Sequence, residues 1–236
     1  MTSTEKATLF SFLDTAQRWI SGEGLPERET PRFTDDAEPM VFNDVPAGCT
    51  LLSVKHDIEA CQKCALAQTR KNTVPGEGPD RQDSIRVMVI GDGPGTEDDS
   101  GGRPFVGQAG QLLDKMLQAI QLTRGENSFI THIVKCRPPD NREPAPDEIT
   151  ACRPFLENQI ALIRPTLILA LGATAAQTLL ATTEGINALR GQLYDCGGIP
   201  VLPTFHPADL LLDDTLKRPA WEDLKLFRSE LDRISG

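Results

Sequence analysis

Aromatic side chains are scarce in this 236-residue sequence: they make up 5% of it, with one tyrosine and two tryptophans, and histidine occurs three times. His56, His132 and His206 are therefore worth placing one by one. No run of about 18 apolar residues occurs, so no membrane-spanning helix is predicted. The N-terminus is polar and acidic, with neither a secretory apolar core nor an Arg-rich transit pattern, and the expected location is the cytoplasm. An excess of positive charge is also missing. The net charge is −10, which argues against a protein that coats nucleic acid by charge alone. The deficit is uneven, because residues 1–60 hold five Lys/Arg against eleven Asp/Glu. Local basic groups such as Lys135, Arg137, Arg142 and Arg153 leave room for DNA binding without demanding it.

What is present reads as one main domain with an appended tail. Residues 1–50 form the tail. Leu9, Phe12, Leu13, Ala16, Trp19 and Ile20 share one face of a helix predicted over 4–20, and a Pro/Gly-rich acidic linker follows over 21–48. The tail helix docks on the main domain or offers its face to a protein partner. From residue 51 to 236 the elements alternate. Strands are predicted at 85–91, 128–135, 166–172 and 199–205. Helices are predicted at 108–122, 147–163, 173–181 and 219–234. That alternation gives an α/β fold, a three-layer α/β/α sandwich around a mostly parallel four-stranded sheet. Ligands in such folds bind beyond the carboxyl ends of the strands. Three segments lie there: "GDGPGTEDD" after the first strand, "HIVKCRPP" at the second and "FHPADLL" after the last.

Six cysteines occur, and Cys61 and Cys64 form a C-x2-C pair while Cys136 and Cys152 flank a proline-rich loop. In a cytoplasmic chain four such thiolates suit zinc or an iron–sulfur cluster better than disulfides, and spacing does not choose between the two. Cys49 and Cys196 are read as non-ligands. His132 precedes Cys136 by four residues, a separation of about 13 Å along a strand, too far to share one metal. The glycine loop is no dinucleotide fingerprint, because Gly91, Gly93 and Gly95 give G-x-G-x-G and Asp92, Glu97, Asp98 and Asp99 would repel a pyrophosphate. Glycines beside carboxylates instead let backbone approach a ligand while an acid orients water. Phe105 can stack on a planar ring, and His206 at a strand end can donate to developing negative charge.

Taken in order, "CQKC", "GDGPGTEDDSGGRPFVGQAG", "THIVKCRPPDNREPAPDEITAC", "LALG", "LRG" and "HPADLL" resemble the uracil-DNA glycosylase superfamily, most closely its iron–sulfur-containing family 4, over about residues 58–234. The resemblance implies a monomeric, monofunctional hydrolase that removes uracil or another deaminated base from single- or double-stranded DNA and so initiates base excision repair. It implies that Cys61, Cys64, Cys136 and Cys152 hold a [4Fe–4S] cluster. It places Gly93, Phe105 and His132 on the flipped base, and His206 on its O2. Asp92 or Asp98 would position water, with Arg190 and a wedge residue, Leu210, on the DNA. Two positions depart from the family pattern: Asp92 stands where Glu is usual, and His132 where Asn reads the edge of uracil. An imidazole has one donor and one acceptor on opposite sides of its ring and cannot replace the side-by-side pair of an amide. The alternative reading is thus a paralogue of altered specificity, or one that binds DNA without catalysis.

Overall fold

A computed structural model describes residues 40, 42, 45, 48–79 and 84–235 of the chain. The helix expected over 4–20 and most of the linker lie outside the described residues. The first described helix, α1 (Leu51–Glu59), opens on a reciprocal cap in which Thr50 and Ser53 satisfy each other's backbone N–H groups. A short α2 (Leu66–Thr69) follows the C-x2-C pair.

The sheet then builds in alternation. β1 (Val87–Gly91) leads to α3 (Thr96–Gly101) and α4 (Gln108–Ala119). β2 (Ser128–His132) leads to α5 (Pro146–Ile163). After β3 (Leu167–Leu171) come α6 (Ala173–Leu180) and α7 (Ile186–Leu189). β4 (Tyr194–Cys196) and β5 (Ile199–Thr204) close the sheet, followed by α8 (Pro207–Leu212) and α9 (Lys217–Ser235). The strand order is β2-β1-β3-β5-β4, parallel except for β4 against β5. The expected sheet had four strands. The fifth, β4, is three residues long and only its Cys196 is buried, so it carries too little apolar pattern to stand out.

Both faces of the sheet are covered, as strands rich in continuous apolar runs require. Met88 and Ile90 of β1, with Ile168 and Ala170 of β3, pack towards α1, α5 and α6. Val87, Val89, Leu167, Leu169 and Leu171 point the other way, towards α4 and α9. The register is the feature that matters for function. Gly91 lies beside His132, and Leu171 beside Thr204, so the carboxyl ends of four parallel strands finish level. The strand expected to run to residue 135 stops at His132, and the chain bends from there into the Cys136 loop. Among the described residues no helix is long and apolar enough to cross a membrane.

Candidate active site

Beyond those level strand ends opens a cavity of about 500 Å³, lined by Asp92, Gly93, Asp98, Phe105, His132 and His206 among others. All six were expected there from the sequence. The packing that holds them was not.

Phe105 is the centre of the arrangement. Its backbone is left-handed, with φ 53°, and Arg124 pins the turn by donating to the carbonyls of Pro104 (2.6 Å) and Phe105 (2.9 Å). Gly110 is obligatory beneath it, because a Cβ there would fall 1.7 Å from the Phe105 carbonyl oxygen. The ring carries His132 stacked at 4.6 Å between centroids and 26° between planes, and His206 tilted at 5.5 Å. Gly91 is constrained by the same group, since a Cβ would meet Phe105 Cζ at 2.6 Å and His132 Nδ1 at 2.9 Å.

The two carboxylates of the glycine loop have different environments. Asp98 Oδ1 accepts from the Val106 N–H at 2.9 Å and Oδ2 from the Gly95 N–H at 3.3 Å. His132 Nε2 approaches Oδ2 at 3.3 Å. Burial works to raise the pKa of Asp98, but His132 and these backbone donors outweigh it and hold the carboxyl below its ordinary value. Asp92 has one backbone donor, Ala175 N–H on the first turn of α6, at 2.6 Å from Oδ1. Gly172, at φ 96°, makes room for this, because a Cβ there would sit 2.6 Å from Asp92 Oδ2. Burial, opposed by the Ala175 bond and reinforced by the carboxylates of Glu143 and Asp209, raises Asp92 to about 7.

His206 sits just ahead of α8, and its Nδ1 accepts from the Ala208 N–H at 3.2 Å. Burial, with some repulsion from His132, lowers its pKa to about 4. The ring is therefore neutral at ordinary pH, and with Nδ1 accepting, its proton is on Nε2. Gly93 lies against Val134, whose Cγ2 would be 3.0 Å from a Cβ on it.

Two residues expected on DNA face elsewhere. Leu210 is 2% exposed and packs with the α9 side of the core, whereas Leu211 and Leu212 are 44% and 88% exposed. A run of three leucines gives no sequence signal for which one a short helix turns inward. Arg190 donates to both oxygens of buried Asp223 (3.0 and 2.7 Å) and to the Pro219 carbonyl, and lies 5.1 Å from the centre of the Phe205 ring. Asp223 also accepts from Thr204 Oγ1 at 2.7 Å, so this network fixes the end of β5 just ahead of His206. Lys135 is not a surface charge either. It is buried, and its Nζ donates to Thr131 Oγ1 (2.7 Å) and the His132 carbonyl (2.6 Å). Asn141, Glu143, Pro144 and Asp209, which also line the cavity, were missed by sequence reasoning, although "NREP" and "HPAD" lie within the motifs quoted, and Arg142 was read only as a local basic group.

On the opposite side of β2 the cysteines gather. None of the six, all among the described residues, is joined in a disulfide. Among the described residues, no three His, Cys, Asp or Glu side chains meet at the spacing of a single metal ion. Yet the four lie in one neighbourhood, Cys136 near enough to interact with Cys64 and Cys61, and Cys152 with Cys136 and Cys61. Arg70 Nη1 donates to Cys136 Sγ at 3.1 Å while its Nη2 holds the Cys61 carbonyl at 2.8 Å, and the Lys135 N–H donates to Cys152 Sγ at 3.2 Å. Thiols that receive N–H donors and share one neighbourhood suit a multinuclear, thiolate-bound group, whose ligands need not converge on a point.

Comparison with known proteins agrees with this geometry. The family model of the Uracil DNA glycosylase superfamily matches residues 77–225. A type-4 uracil-DNA glycosylase of Sulfurisphaera tokodaii is 40% identical over 187 residues, covering 76% of this chain and 84% of that protein. One from Thermotoga maritima is 42% identical over 180 residues, covering 75% and 92%. A type-5 uracil-DNA glycosylase of Pyrobaculum aerophilum is 32% identical over 145 residues, covering 54% and 63%. With the strand-end cavity, its ordered carboxylates and its neutral histidine in place, the chain belongs to the uracil-DNA glycosylase superfamily and stands with its type-4 members.

Proposed function

We propose that this protein excises uracil from DNA by hydrolysing the N-glycosidic bond, the first step of base excision repair. The observation that carries the mechanism is the pairing of Asp92 and His206 on one cavity, each with a single backbone donor that fixes its orientation. A base inside a duplex is out of reach, so the nucleotide must be extruded into the cavity. Phe105 supplies the ring face there. As the bond breaks, negative charge grows on the base and positive charge on the sugar. The Nε2–H of neutral His206 donates to uracil O2 and stabilises the departing anion, a contribution of about 3–4 kcal/mol for one preorganised donor. Asp92, with Oδ1 held by Ala175, uses Oδ2 to orient and deprotonate water and to offset the sugar cation. Its pKa of about 7 suits a base at neutral pH. Asp98 is a positioning residue, since both its oxygens are already engaged.

Cys61, Cys64, Cys136 and Cys152 would hold a [4Fe–4S] cluster. Its part is structural, tying α1 and α2 to the loop that leaves His132 and to α5. Leu211 and Leu212, exposed beside the cavity residues Ala208 and Asp209, replace Leu210 as the residues that fill the gap left in the stack. We read the enzyme as a monomer that acts on DNA in the cytoplasm. The non-catalytic alternative is not favoured, because both catalytic candidates line the cavity and the type-4 relatives are about 40% identical.

The test uses labelled oligonucleotides with a single uracil, followed by alkaline cleavage of abasic sites. The unmodified protein releases the base. His206→Ala slows release by about 10²–10³ with little change in DNA affinity. Near-normal turnover in that variant contradicts the mechanism.

A further inference from the structure

His132 is the side chain at the centre of the site that the proposed mechanism leaves without a task. It lines the cavity, is 1% exposed, and neither ring nitrogen makes a hydrogen bond of good geometry. With Asp98 beside Nε2, Nδ1 is the ring nitrogen with no partner at all, and a buried nitrogen left so is costly and calls for an explanation. The two nitrogens are not equivalent. Nε2 faces Asp98 Oδ2 at 3.3 Å, and that carboxylate is locked as an acceptor by the Val106 and Gly95 N–H groups. An ionised carboxylate accepts only, so the proton of His132 belongs on Nε2 and the free lone pair on Nδ1.

We propose that His132, oriented by Asp98, reads the base through one acceptor, Nδ1, which takes the ring N3–H of uracil and leaves O4 unread. This inference rests on the proposed uracil excision and specifies how that site chooses its base. The recognition is negative as much as positive. Uracil presents N–H at position 3, whereas cytosine presents a lone pair there, which would face the lone pair of Nδ1 in a site closed to water. One contact thus separates the deaminated base from its parent. The same logic admits any base with an N–H at that position, whatever stands at position 4. An amide in place of His132 would add a donor beside the acceptor and make the site sensitive to both positions.

The test compares three single-stranded substrates under single-turnover conditions: uracil, 3-methyluracil (N3–H replaced by N–CH3, O4 kept) and 4-thiouracil (O4 replaced by sulfur, N3–H kept). Each is run on the unmodified protein and on His132→Ala, which cancels differences in intrinsic lability. The expected result is a loss of at least about 30-fold with 3-methyluracil, the size of one buried hydrogen bond, and less than about threefold with 4-thiouracil. In His132→Ala the 3-methyluracil loss shrinks to about threefold or less. Equal losses for the two analogues would overturn the proposal, as would a 3-methyluracil loss that persists in His132→Ala. If His132→Ala does not fold, the uncatalysed hydrolysis rates of the three deoxynucleosides supply the lability correction, and the corrected ratio of the two analogues on the unmodified protein decides. Failure to release uracil at all would overturn the function beneath the inference as well.

Discussion

Asp92 and Asp98 sit at the two ends of one seven-residue loop and line one cavity, yet their carboxyl groups are pushed in opposite directions. Burial raises both. Asp98 is overruled by His132, Val106 and Gly95, whereas Asp92 has only Ala175 to oppose burial and faces two further carboxylates. Depth alone therefore does not decide which carboxyl is raised and which the proposed mechanism can use as a base. What matters is which lone pairs are left free. Asp98 has spent its acceptors on holding the loop, and Asp92 has kept one.

The comparison can be broken by exchanging each group for its amide. Asp92→Asn is expected to lower the single-turnover rate by about 10³ through loss of the base, with the fold intact. Because the folded-state pKa of Asp92 is raised, its ionisation costs stability as pH climbs from its unfolded value towards 7, so the amide should be as stable as the parent or more so at pH 8. Asp98→Asn should behave in reverse. Its lowered folded pKa contributes stability that is present above the ordinary carboxylate range and lost as pH falls through the folded value. Thermal denaturation should show a loss of about 2 kcal/mol near neutral pH. If Asp98→Asn left stability untouched and abolished turnover, the roles would be exchanged.

A smaller contrast sharpens the same lesson on α8. Leu210→Ala removes a buried side chain and should cost about 2–4 kcal/mol of stability. Leu212→Ala, at 88% exposure, should stay within about 0.5 kcal/mol and slow excision from duplex more than from single strands. Equal effects on both substrates would remove Leu212 from the DNA.

Much of this was legible in the sequence, and for a physical reason. Four parallel strands buried on both faces write themselves as unbroken apolar runs, and their ends mark where a site must lie. Short elements do not advertise themselves: β4 has three residues, α3 and α8 six each. Side-chain commitments were hidden too. Nothing at Arg190 announces that Asp223, thirty-three positions on, will take its guanidinium. Nothing near His132 says that Asp98 will stand beside Nε2. Motif order located the cavity-lining residues, but their partners, and hence the division of labour proposed for Asp92 and Asp98, come from the fold.

The most direct test is the pH dependence of single-turnover uracil release from single-stranded DNA, measured from pH 5 to 9 (roughly the span over which a carboxyl raised to about 7 titrates). The account expects the rate to rise about tenfold per pH unit below pH 7 and to level off above it. Asp92→Asn should be slow and flat across the range. A parent profile with no inflection near 7, or an inflection that survives Asp92→Asn and vanishes in Asp98→Asn, would contradict the assignment of Asp92 as the base.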